Sequence, residues 1–154
     1  SGAHFVSFLV SNHVCIMPNR HRNKTFATFL AAFFGGIGLH RFYLHGSKDF
    51  PGWVHFVTLP MTALWMLARP EHPVLFQAAP LVLSALIAII EALVIGLESD
   101  EKWDAVHNPS SGRKSSSGWP LALILVLTFG AGAVGAIAVI ARTFDLFFTG
   151  GAFG

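Results

Sequence analysis

With 154 residues, 53% of them hydrophobic and only 12% charged, the chain carries about half the charge share of an ordinary globular domain. Its formal net charge of +2 is too small to argue for a nucleic-acid surface, and no nucleic-acid partner is expected. The single cysteine, Cys15, excludes an intrachain disulfide and leaves the redox compartment open.

The charges are unevenly placed. Residues 72–90 contain no Lys, Arg, Asp or Glu, and residues 119–141 contain none either. Apolar runs of about 18 residues or more are membrane-helix candidates, because ~20 residues rising ~1.5 Å each span a ~30 Å hydrocarbon core. These runs predict an all-α, polytopic integral membrane protein with membrane lipids as its surroundings.

Residues 1–21 form an N-terminal segment with an apolar stretch, residues 5–16, followed by Met17 and the basic run 18–24. Three readings fit: an interfacial helix, a signal-like segment, or sequence upstream of a true start at Met17, of which the last is favoured. The first predicted span covers residues 24–39. Ala27, Ala31 and Gly35 share one helix face, with Thr28, Ala32 and Gly36 beside them, and such small residues let membrane helices approach closely. The second span, residues 50–68, carries His55 and a kinking Pro60, with Trp53 and Trp65 near its ends. The polar turn 69–73 follows.

The third span, residues 74–97, contains Pro80 and one acid, Glu91. The hydrophilic run 98–118 is charged in its first half and has linker composition in its second. The fourth span, residues 119–141, contains Gly130, Gly132 and Gly135, a second close-packing face. The tail 142–154, with four phenylalanines, suits an interface. The expected architecture is about four transmembrane helices in two hairpins, residues 22–68 and 74–141. Four spans put both termini on one side. Lys and Arg then divide equally between the sides, and only the basic run before the first span favours a cytoplasmic N-terminus.

The stretch joining the first two spans carries the most information. Gly35, Gly36, Gly38, His40, Arg41, Phe42, Tyr43 and Gly46, after Asn23-Lys24-Thr25, resemble the signature of the TM-two (two-transmembrane) domain family over residues 22–68. The wider chain, with Asp100-Glu101-Lys102-Trp103-Asp104-Ala105 and Asn108-Pro109, resembles the longer bacterial members labelled NINE proteins. The resemblance implies two helices joined by a tight turn and a bacterial cytoplasmic membrane, but no biochemical activity. Two positions depart from the family pattern: Trp65 is followed by Met66 rather than Asp, and residue 45 is His rather than Gly.

Arg41 is the leading candidate in that turn, able to bind lipid phosphate, cap the preceding helix or pair with Asp49. Glu91 is the other, because an ionisable group inside an apolar span marks a site, a partner or a proton relay. His55 and Arg41 are its expected partners. His40, His45 and His55 have neither the spacing of a zinc peptidase nor a Cys-x-x-Cys pattern, so no metal is expected. The glycine cluster lacks the third glycine and preceding strand of a dinucleotide loop, and no cofactor is expected. With no catalytic constellation, the expected function is non-enzymatic: a structural or interaction protein, in a homo-oligomer or larger membrane complex. The alternative is a small transporter or channel component using Glu91.

Overall fold

The computed structural model describes residues 21–153; the predicted N-terminal segment 1–21 lies outside the described residues apart from His21. Helices α1 (Lys24–Phe34), α2 (Leu39–His45), α3 (Phe50–Ala68), α4 (Val74–Gln77), α5 (Ala79–Leu97), α6 (Asp100–His107) and α7 (Trp119–Thr149) make up the fold, with a 3-10 turn, Gly35–Ile37, between α1 and α2. No strand occurs among the described residues.

Helix α1 starts at Asn23, whose side chain accepts from the Phe26 amide. It ends after 11 residues, about 16 Å of rise, which is too short for a bilayer core. Beyond it the chain reverses. Gly38 takes φ 78°, a left-handed conformation open to glycine, and a Cβ there would lie 2.6 Å from the Gly52 carbonyl oxygen. Helix α2 then climbs back along α1, so that the Asn23 amide donates to Tyr43 Oη at 3.0 Å and the Phe26 and Tyr43 rings meet edge-on at 5.2 Å. The expected first span is therefore a folded-back helical hairpin, with both of its ends together.

Helix α5 runs antiparallel to α1. Lys24 Nζ donates to the Glu98 carbonyl and to Asp100 Oδ1, a Cβ on Gly96 would touch Thr28, and Gly35 and Gly36 lie against Ala88 and Ala85. The tip of the hairpin thus stands level with Ala85, about 20 Å along α5 from Glu98. Ala27, Ala31, Ala88 and Ala92 are all buried, so the first small-residue face packs within the chain.

Helix α3 returns on α5 through the turn at residues 69–73, held where Gln77 Nε2 donates to the carbonyls of Arg69 and His72. Helix α7 packs antiparallel to α5: Leu125 meets Gly96, Gly132 meets Ile89, and the Phe147 and Phe76 rings are 5.8 Å apart. One end of the molecule therefore gathers the start of α1, the end of α2, α6 and the loop after it. The other gathers the 69–73 turn and the end of α7.

Helices α5 and α7 are each long and apolar enough to cross a membrane, and only 22% and 11% of their most apolar stretches are buried. Phe129, Val134 and Ile137 of α7 are each about two-thirds exposed. Apolar flanks of this extent suit hydrocarbon rather than water.

The expected third span, residues 74–97, divides at Ala78 into α4 and α5. Pro80 occupies the first turn of α5, where its missing donor costs nothing, so it does not kink a span. Helix α7 continues past Ala141 to Thr149, because Arg142 pairs with Asp145 one turn on and Asp145 accepts from the Thr149 hydroxyl. The phenylalanine-bearing tail is therefore largely helix.

The hydrophilic run is also more ordered than its composition suggests. Ser99 caps α6, and Trp103 is fully buried with Ala27 and Leu44, its Nε1 donating to the Arg22 carbonyl at 3.0 Å. Asn108, also buried, accepts from the Arg22 amide at 2.7 Å. The serine-rich half forms a strap: Asp104 accepts from the amide and hydroxyl of Ser115, each at 2.6 Å, and Asp100 accepts from those of Ser117 at 2.7 and 2.5 Å.

Hydrogen bonds from Asn108 and Ser115 hold the Asp104 carboxyl down to about 2, and those from Ser117 lower Asp100. With a folded-state value below the ordinary ~3.9 of aspartate, the Asp104 contribution to the strap is complete above ~3.9 and is lost as pH falls through about 2. Hydrogen-exchange protection of the Ser115 amide is expected to persist at pH 5 and to disappear near the lower value. Equal protection in Asp104→Asn and the parent protein would contradict that assignment.

Candidate functional site: a buried ionic cluster

The reversal at Gly38 aims the first residues of α2 at α5. His40 is 1% exposed, and its Nε2 donates to Glu91 Oε2 at 2.8 Å. Arg41 Nε donates to Glu91 Oε1 at 2.9 Å, and its Nη2 donates to the same oxygen. The remaining guanidinium nitrogen, Nη1, lies 3.6 Å from Asp49 Oδ2. Asp49 is itself fixed, since it caps α3 by accepting from the Gly52 amide at 2.8 Å.

Helix α3 adds His55, whose Nε2 lies 3.5 Å from Glu91 Oε2. Its Nδ1 is 2.6 Å from Ser84 Oγ, and Ser84 donates to the Gly36 carbonyl at 2.7 Å. Glu91 thus joins the folded-back hairpin, α3 and α5 through one carboxylate. Both expected partners, Arg41 and His55, are brought to it. Arg41 holds carboxylates rather than the carbonyls of the preceding helix.

The rest of the motif builds the frame. Gly35 is required by close approach, because a Cβ there would sit 2.5 Å from that of Ala88. Phe42 packs edge-on against Trp53 at 5.5 Å, Tyr43 receives the Asn23 amide, and Gly46 ends α2. His45, at the second departure from the family pattern, lies 6.2 Å from the His107 ring. An open groove of about 260 Å³ leads from there to His40, Arg41 and Glu91 between the apolar side chains Leu44, Ile90 and Val94. At its outer end His107 titrates below the usual imidazole range, through burial first and then the charges of Arg22 and His45.

Sequence reasoning did not single out His40 as a Glu91 partner, nor Ser84. Ser84 lies seven residues, two helical turns, before Glu91 and so on the same face, a signal that periodicity alone could have supplied. The orientation of His40 carries no such signal, because it depends on the fold-back. Among the described residues, no group of three or more His, Cys, Asp or Glu has metal-holding geometry.

An all-helical fold with long, lipid-suited apolar helices and an ionic cluster between them defines a membrane protein. Residues 20–69, covering α1 to α3, match the family model of the TM2 domain. No curated protein and no solved structure matches the chain.

Proposed function

We propose that this is a non-enzymatic, multi-pass protein of the bacterial cytoplasmic membrane with a structural or interaction role. The observation that carries this reading is the use made of the polar groups at Glu91. Arg41, His40, His55 and Ser84 all face other groups of the cluster and tie α2, α3 and α5 together. Outward, Gly130 and Gly135 of α7 have nothing within 4 Å of an added Cβ, whereas Gly132 is packed on Ile89. This leaves α7 as the side on which a second copy or another membrane helix would pack.

In this reading α3, α5 and α7 cross the bilayer, and α1 with α2 re-enters from one side. Three crossings separate the termini, unlike the four expected from the apolar runs. The end bearing α6 holds Arg22, Lys24, Lys48, Lys102, Arg113 and Lys114, against Arg69 and Arg142 at the other. The positive-inside rule then places the α6 end in the cytoplasm and the end of α7 across the membrane.

Single-cysteine variants in a Cys15→Ser background test both parts. Ser111→Cys is expected to be shielded from an impermeant maleimide in intact cells, and Phe153→Cys to be labelled. Gly130→Cys or Gly135→Cys is expected to form disulfide-linked products in native membranes. Labelling of both sites from outside would refute the orientation, and the absence of cross-links along α7 would refute the packing role.

A further inference from the structure

Two hydrogen bonds fix the position of one proton in the Glu91 cluster. The Gly36 carbonyl only accepts, so the single hydroxyl proton of Ser84, 2.7 Å away, is donated to it. Ser84 Oγ must then accept from His55 Nδ1 at 2.6 Å, which places a hydrogen on that nitrogen. In the neutral ring His55 Nε2 is consequently a bare lone pair, facing the lone pairs of Glu91 Oε2 across 3.5 Å.

Charge points the same way. With neutral imidazoles, Arg41 contributes one positive charge while Asp49 and Glu91 contribute one negative each, so the group carries one net negative charge. Other elements do not offset it. Helix α1 faces it with no charged residue beyond Lys24, and α7 has none over residues 119–141. His45 of α2 lies 3.8 Å from Asp49 Oδ1 and as a neutral imidazole adds no charge, and His107 of α6 stands at the outer end of the groove.

We propose that His55 and Glu91 form an intramembrane proton-binding site, in which one proton adds to His55 Nε2 and is donated to Glu91 Oε2. Uptake replaces a lone-pair contact with a charge-assisted hydrogen bond and makes the cluster neutral. It also draws α3 onto α5. His40 is not the acceptor: its Nε2 already engages Glu91, and its Nδ1 is buried with no partner, so a proton there would be left unsatisfied. Glu91 is about one-fifth exposed, along the groove, which gives water a route to the site.

Nitrogen-15 NMR of the histidine side chains, on the full chain in lipid nanodiscs, tests this directly. On acidification His55 is expected to keep its Nδ1 hydrogen and to gain one on Nε2. In Glu91→Gln the midpoint of that change is expected to move down by about one pH unit or more, as loss of a carboxylate within hydrogen-bonding range predicts. Ser84→Ala retains the carboxylate but releases the Nδ1 hydrogen, so the neutral ring is expected to shift towards the Nε2–H tautomer. Protonation of His40 in place of His55, a neutral parent ring with its hydrogen on Nε2, or an unchanged midpoint in Glu91→Gln would each overturn the proposal. Should Glu91→Gln fail to fold, the tautomers of the parent and of Ser84→Ala decide it.

Discussion

Replacing Glu91 with alanine is expected to destabilise the folded protein by about 3 kcal/mol, the lower end of the cost of breaking a buried ion pair, because Glu91 and Arg41 are 19% and 25% exposed. The penalty comes from the groups left behind. Arg41 would retain only Asp49 at 3.6 Å, and His40 would have neither ring nitrogen partnered. Thermal unfolding in mild detergent reads the effect. Glu91→Gln, which keeps an acceptor, is expected to lose less than Glu91→Ala. Joint replacement of Glu91 and Arg41 by methionine should recover part of the loss, because no guanidinium is then stranded and Asp49 keeps the Gly52 amide. An alanine variant as stable as the parent would mean that the carboxylate does not hold the three helices together.

The second large effect is expected at Trp103. Truncation to alanine removes a fully buried indole that packs with Ala27 and Leu44, a change that costs about 3–5 kcal/mol in well-packed cores. It also removes the bond to the Arg22 carbonyl, so the start of α1 loses its link to α6. The expected result is a lower unfolding midpoint together with proteolytic sensitivity in the loop 98–118. Trp103→Phe retains most of the volume and is expected to lose the hydrogen-bond contribution, about 1 kcal/mol. If α6 were only part of a tether between membrane helices, neither substitution would change the midpoint.

These two residues show how unevenly the fold was legible. The helix at residues 50–68 follows directly from its apolar run, whereas the run 74–97 divides at Ala78 into α4 and α5. The packing of α6 does not follow, because Trp103 stands among Asp100, Glu101, Lys102 and Asp104, and its burial depends on α1 and α2 arriving above it. Glu91 was legible as a site through the cost of placing a carboxylate in an apolar run. Its pairing with Arg41 and His55 was legible as chemistry and Ser84 lay within reach of periodicity, but His40 enters only once the backbone geometry at Gly38 is known.

The glycine-rich turn also illustrates a limit of reading spans from hydropathy. Residues 24–39 are as apolar as a short span, yet the helix stops after Phe34 and the chain climbs back. Apolar content reports burial in hydrocarbon or protein and says nothing of direction, whereas the reversal depends on a backbone conformation at Gly38 and on room beside Gly52.

Composition and charge spacing by themselves determine that this chain is helical and belongs in a membrane, and the order of residues 35–46 carries its resemblance to the TM2 domain model. Tertiary structure alone decided that the first hairpin folds back, that both ends of that hairpin share the side of α6, and that Glu91 faces Arg41, His40 and His55. The physical reason is that hydropathy is a property of each residue, readable one position at a time. Chain reversal and ion pairing are relations between distant residues, set by a few glycine conformations and by the helices that pack against them.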